Sequence, residues 1–272
     1  MQPMVNMALR AARMASEIIV RAFADLDKLK IENKQRNDFV TEVDKASEQT
    51  IIDALRKAYP DHGFYGEESG FQHQGKGEGK DYLWIIDPLD GTTNFIRGIP
   101  QFAISIACQY RGRLEHAVVV DPIKGEEYCA SRGNGATLNS RRIRVSNRKS
   151  LEGALIGTGI PFMQPGIAHL DNYLNMMRSL LGDTAGIRRA GAAALDLAYV
   201  ASGKLDAFWE IGLKEYDMAA GVLLIQEAGG LVSDFKGGPD FMSKHEIVCG
   251  TPRCFKETLQ RIRPFVVDDR GR

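Results

Sequence analysis

Residues 83–95 read LWIIDPLDGTTNF, an apolar run the length of a buried strand that ends in two aspartates, a proline, a glycine and two threonines. Any fold must carry the run inward and deliver the charged end where something neutralises it, because clustered carboxylates repel one another and are costly to desolvate. A strand of an open sheet does this at its carboxyl end, where such sheets hold their ligands. Pro88 fixes its own φ and lacks an amide hydrogen, while Gly91 permits a sharp reversal. The hydroxyls of Thr92 and Thr93 are then expected to point back toward Asp87 and Asp90. Hard oxygen donors on a rigid turn suit Mg2+. The plainer alternative is an aspartate-rich turn closed by its own Asx hydrogen bonds.

Other acids stand at element ends. In FYGEESG, Glu67 follows a short apolar segment and can reach the same sheet edge, whereas Glu68, alternating away, reads as solvated. Asp44 closes TEVD, which is also a capping box with Thr41 at the N-cap. Asp217 in LKEYDMAAG stands where an N-cap aspartate is expected before an apolar helix. Singly, Asp44 and Asp217 are explained by capping. Together with Asp87 and Asp90 they supply what two neighbouring cations need, several shared carboxylates.

Around these motifs the chain of 272 residues is 44% hydrophobic and 26% charged, enough for a large core in one domain or two joined lobes. Helical spacing runs from Val5 to Phe23 and from Thr41 to Pro60. Strand-like runs follow through YLWIID, FAISIACQY, LEHAVVVD and EEYCA, with RGNGA as a hairpin connection, so the middle reads as mostly antiparallel sheet. From about residue 151 helices and strands alternate, among them a helix over residues 168–181, AAALDLAYVASG, LDAFWEI, MAAGVLLIQEAGG and a closing helix from Pro252, an α/β pattern. The expectation is one domain over residues 1–272 with a lobe boundary near 150, and HQGKGEGKD around residues 73–81 as a mobile loop.

The charge balance, 35 Lys+Arg against 35 Asp+Glu, gives no global field favouring nucleic acid or an anionic membrane. No apolar run approaches a membrane span and the N-terminus lacks a signal-peptide block, so a cytoplasmic protein is expected. Cys108, Cys129, Cys249 and Cys254 fit no redox or zinc spacing and read as reduced and packed, and the histidines show no ligand spacing either. GTG at 157–159 lacks the rest of a dinucleotide fingerprint and implies only a backbone turn.

These motifs, taken in order, resemble the inositol monophosphatase family of Mg2+-dependent, lithium-sensitive phosphatases. GEES (66–69), WIIDPLDGTTNF (84–95) and EYDMAAGVLLIQEAGG (215–230) match its three signature regions; NDFVTEVD (37–44), GAAALDLAYVA (191–201) and FWEIG (208–212) match further segments. The likeness spans nearly the whole chain and is greatest to the bacterial SuhB branch. It implies an α/β fold, the αβαβα sandwich shared with fructose-bisphosphatases, usually as a homodimer. It implies two or three Mg2+ ions: Glu67, Asp87 and the Leu89 carbonyl at one, Asp87, Asp90 and Asp217 at a second, and Asp44 beside a weaker third. Glu67 and Thr92 would orient and deprotonate the attacking water, and the amides of Gly91 and Thr92 would hold phosphate. Asp90, Glu210 and the backbone around Gly191 to Ala193 would meet the hydroxyls of inositol or another sugar. One departure is Tyr216, where the family usually has tryptophan.

Two rival readings remain. A phosphatase using a phospho-aspartate carries DxDGT after its strand; here the spacing is DxxDGT, one residue longer. The SuhB likeness also implies a regulatory binding role in transcription complexes that process ribosomal RNA, with NusA and RNA polymerase as partners. RRIRVSNRK (141–149) holds five basic residues but no interleaved aromatics, so a solvated strand edge explains it as well as RNA does.

Overall fold

The computed structural model describes residues 2–28, 31–35, 38–73, 75–161 and 169–266. The chain opens with helix α1 (Pro3–Phe23), a ribbon of β1 (Ile31–Gln35) and β2 (Asp38–Thr41), and helix α2 (Glu42–Ala58). An eight-stranded sheet follows, from β3 (Gly63–Gly66), β4 (Gly70–His73), β5 (Tyr82–Asp90), β6 (Ala103–Tyr110), β7 (Arg113–Asp121), β8 (Glu126–Ser131), β9 (Gly135–Leu138) and β10 (Arg141–Ile143). Its order is β10-β9-β8-β7-β6-β5-β3-β4, antiparallel except where β3 runs alongside β5. The short helix α3 (Thr92–Ile96) bridges β5 and β6.

A second sheet of five strands takes the order β12-β11-β13-β15-β14, from β11 (Leu155–Thr158), β12 (Gly186–Arg188), β13 (Ala207–Ile211), β14 (Leu231–Ser233) and β15 (Glu246–Gly250). Between its strands run α4 (Leu170–Leu181), α5 (Ala193–Ala201), α6 (Glu215–Glu227) and α7 (Phe241–Lys244), and α8 (Pro252–Ile262) closes the chain. Residue 168, the expected start of α4, lies outside the described residues. No described helix is long and apolar enough to cross a membrane.

Strand alternation sorts the side chains into layers. From β5, Trp84 and Ile86 join the core under α1 and α2, while Ile85 joins the core around α5 and α6. From β13, Phe208 meets that same central core, and Ala207 and Trp209 meet α4 and α8 on the far face. The order is helix, sheet, helix, sheet, helix, an α/β sandwich.

Position in that sandwich explains the helix sequences. Helix α1 has one wet face and buries Val5, Ala8, Leu9, Ala12, Ala15 and Ile19 at helical spacing, with proline pre-set at its first turn. Helix α6 lies between two sheets and buries every residue from Met218 to Ile225. A helix apolar all round belongs in such a place. It also crosses α5 closely, since a Cβ on Gly221 would fall 2.4 Å from Leu197 Cβ.

Helix α2 breaks this pattern. Its buried stripe is apolar at Ile51, Ile52 and Leu55, but Asp44, Ser47 and Glu48 are buried in its first half. The loop expected to be mobile is tied down over its described part: Lys76 N–H donates to Asp61 O at 2.8 Å, and Gly79 packs so closely that a Cβ would meet Asp61 at 2.6 Å.

Candidate metal centre

In a regular strand residues three apart face opposite sides, so Asp87 and Asp90 should point away from each other. The pairing of β5 with β6 shows why they do not. Asp87 lies opposite Ser105 and Asp90 opposite Ala103, so β5 holds one extra residue over this interval. Asp87, in phase with Ile85, already faces α5 and α6; the bulge restores the parity and turns Asp90 to the same side. Pro88 sits inside it, where no ladder donor is required. The convergence that the sequence suggested therefore comes from a bulge within the strand, which continues to Asp90.

Asp217 meets the pair from the first turn of α6, and one carboxylate oxygen from each of Asp87, Asp90 and Asp217 lies within 4.8 Å of the others. Asp217 is not the N-cap expected of it. Lys214 holds that position, and Asp217, three residues on, accepts the Lys214 N–H at 2.6 Å. Glu67 follows the end of β3, its own N–H donating to Ile86 O at 3.0 Å beside Asp87. Burial holds the Asp87 carboxyl well above the usual carboxylate range, and the charges of Glu67, Asp90 and Asp217 push the same way. Asp90 is raised to about 7, by burial first, against hydrogen bonds from the α5 backbone that lower it.

The Asx turn of the plainer reading is present too. Asp87 Oδ1 accepts the Leu89 N–H at 3.0 Å, which fixes one carboxylate oxygen and leaves the other to face its neighbours. The Leu89 side chain is buried under α2 while its carbonyl stays at the turn, 3.1 Å from Thr92 Oγ1. Gly91 takes φ +93, and a Cβ there would fall 2.9 Å from Gln101 O. Of the two threonines expected to turn back, Thr92 does so and Thr93 is exposed. Asp44 does cap α2, accepting the Thr41 N–H at 2.9 Å, and its other oxygen accepts from Thr92 Oγ1 at 3.0 Å. Burial raises its pKa.

These donors fit Mg2+. They are all oxygens, mostly carboxylates, their lone pairs converge, and burial and mutual repulsion disfavour the charge at Asp87.

A second group of acids faces the cluster from α5 and β13. Asp90 accepts the Ala194 N–H at 2.7 Å, and the Ala193 N–H, expected on substrate, also bonds Asp90. Asn94, from α3, donates to Ala190 O at 2.9 Å and lies 3.2 Å from Gly191 O, fastening the loop before α5. Glu210 is raised well above the usual range by burial, then by Asp196, Asp217 and Asp90, with Arg189 opposing. Gly159 is the reason it fits, for a Cβ there would sit 1.6 Å from Glu210 Oε1. GTG thus supplies bare backbone, with Gly157 against Phe208 and Gly159 against Glu210.

Several contributors escaped sequence reasoning. Asp196 is 2% exposed on α5, and its signal was a lone acid within an apolar helix. Ser47 and Glu48 gave none, because polar residues in an amphipathic helix usually face water. Tyr65 stacks on the exposed Phe71 at 4.4 Å and lies 6.0 Å from Tyr216, an aromatic edge beside the acids. In the basic run, Arg144 donates to Glu227 O at 3.2 Å at the end of α6, and Arg148 holds Asp206 at 3.0 Å, so two of these residues have structural partners.

A family model described as the inositol monophosphatase family matches residues 1–267. A curated relative from Pseudomonas aeruginosa, named Nus factor SuhB, is 66% identical over 266 residues, 98% of each chain. Among solved structures, the extragenic suppressor protein suhB of Bartonella henselae superposes with TM-score 0.90 at 41% identity, covering 98% of each chain. The IMPase of Thermotoga maritima gives TM-score 0.85 at 32% identity over 96% of each.

Proposed function

The chain belongs to the inositol monophosphatase family, and from that premise we propose that it is an Mg2+-dependent phosphomonoesterase that hydrolyses inositol monophosphate, or a related sugar phosphate, to the free alcohol and phosphate. The observation that carries this reading is the convergence of Asp87, Asp90 and Asp217 at the β5 bulge, with Glu67 beside them. Asp87 would be shared between two cations, with Glu67 and the Leu89 carbonyl completing one set and Asp90 and Asp217 the other; Asp44 would stand by a third. When bound, Mg2+ would supply a water of lowered pKa and positive charge against the phosphate and the leaving oxygen.

The chain's own groups do the rest. Glu67 and the Thr92 hydroxyl orient the attacking water and Glu67 takes its proton, while Asp44 fixes the direction of that hydroxyl. Water oxygen bonds to phosphorus, the ester P–O bond breaks with its electron pair on the leaving oxygen, and that oxygen gains a proton. No protein nucleophile is used. The Gly91 and Thr92 amides hold phosphate oxygens, and the N-terminal ends of α5 and α6 favour the anion. Asp90, Gly191, Ala193 and Glu210 meet the hydroxyls of the leaving group. A phosphate-release panel of inositol, sugar and nucleotide phosphates, with and without Mg2+ and Li+, tests this. Mg2+-dependent, Li+-inhibited release is expected, and no release from any compound would sink the reading.

A second role is favoured by the name of the Pseudomonas aeruginosa relative, Nus factor SuhB. In it the protein, a cytoplasmic homodimer or its subunit, joins ribosomal RNA antitermination complexes through NusA and RNA polymerase. Complementation separates the roles: Asp87→Asn abolishes hydrolysis, so rescue of a deletion by that variant assigns the cellular task to binding, and failure assigns it to catalysis.

A further inference from the structure

Asp44, Ser47 and Glu48 lie at i, i+3 and i+4 on α2, one stripe of one helix, and are 0%, 0% and 3% exposed. Each bonds a different segment of the metal centre. Asp44 accepts the Thr92 hydroxyl at 3.0 Å, where α3 begins. Ser47 Oγ donates to Pro88 O at 2.8 Å, inside the bulge between Asp87 and Asp90. The Glu48 carboxylate accepts the Glu68 N–H at 2.9 Å on one oxygen and the Ser69 N–H at 3.0 Å on the other, gripping the turn that presents Glu67.

Glu48 is the costly member of this stripe. A buried carboxylate loses its hydration and persists only where charge-assisted bonds replace it. Packing does not demand one, since an apolar side chain would continue the stripe of Ile51, Ile52 and Leu55. The turn has also been cleared to receive it: a Cβ on Gly66 would fall 2.3 Å from Glu48 Oε2.

We propose that the first two turns of α2 align the metal centre, with Glu48 the positioning residue for Glu67 and Ser47 that for the Asp87–Asp90 bulge. Neither touches substrate or cation. The inference rests on the metal-dependent reading above and adds residues to it.

Glu48→Gln keeps the shape but turns an N–H donor toward the amides of the turn. Calorimetric titration of Mg2+ onto the full chain is expected to show about 10-fold weaker binding, the scale typical of outer partners of metal ligands. The Mg2+ concentration for half-maximal phosphate release rises by the same factor, while KM at saturating Mg2+ stays unchanged. A merely structural Glu48 would lower the melting temperature and leave the Mg2+ midpoint where it was, and that result overturns the inference. Glu67→Gln serves as the reference. If it binds Mg2+ like the parent, the metal reading itself fails; if it binds weakly while Glu48→Gln binds normally, only the positioning role fails. Should Glu48→Gln not fold, amide hydrogen exchange of the metal-free parent decides: protected Glu68 and Ser69 amides support the role, and exchange at free-loop rates overturns it.

Discussion

Asp87 and Asp217 are fixed by backbone amides, from Leu89 and Lys214, whereas Glu210 is seated by the absence of a side chain at Gly159. The two sides of the site use the same functional group, a carboxylate, and hold it differently. Hydrogen bonds set direction, which ligation of a small cation requires. Empty space sets shape, which is what selecting among alcohols requires. Under the proposed function, metal geometry and substrate choice can therefore be perturbed separately.

The largest expected effect breaks the metal side. Asp217→Asn removes one charge from the cluster, and Mg2+-dependent turnover should fall at least about 100-fold, beyond the usual cost of losing an outer partner. The same variant bears on pH. In the metal-free protein Asp87 and Asp90 hold protons that the unfolded chain releases, because burial and mutual repulsion raise their pKa values. Their contribution to stability is thus fully present below about pH 4, the range of a free carboxyl, and is lost as pH rises through about 7. Urea midpoints in a chelator check this, and Asp217→Asn should flatten the slope.

Smaller effects are expected on the leaving-group side. Gly159→Ala forces Glu210 from its seat, and KM should rise roughly 10-fold with the Mg2+ midpoint unchanged; equal loss in both would erase the distinction between the sides. Tyr216→Trp restores the usual family ring next to Tyr65, and its effect should stay within about 3-fold, visible as a changed order of preference across the substrate panel.

Much of the fold was legible because its elements are amphipathic or strictly alternating: α1, α2, β5 to β8 and the αβ alternation after residue 151 all carry their period in the sequence. The members of the acidic cluster were legible as acids at element ends. The bulge was not, since one extra residue on β5 is defined only by its partner β6, and without it the parity of Asp87 and Asp90 argues against their meeting. Asp217 was placed one role away from its own, at the third helical position instead of the cap, because a carboxylate reaching back reads the same as one at the end. Glu48, unlike Asp87, was invisible. It lies among Lys45, Gln49 and other polar residues of α2, and only the turn it grips, some twenty residues on, distinguishes it from a solvated charge.

The burial of α6 on every side bears on how the chain folds. Met218 to Ile225 have no wet face: α5 packs along one side, and β5 to β9 with β14 cover the rest. Those strands span residues 82 to 233, so the full burial of α6 depends on contacts distant in sequence, the kind that close slowly. Asp217 rides on its first turn. Under the proposed function, cation affinity would therefore report on the packing of α6, and Mg2+ titration during refolding would follow it.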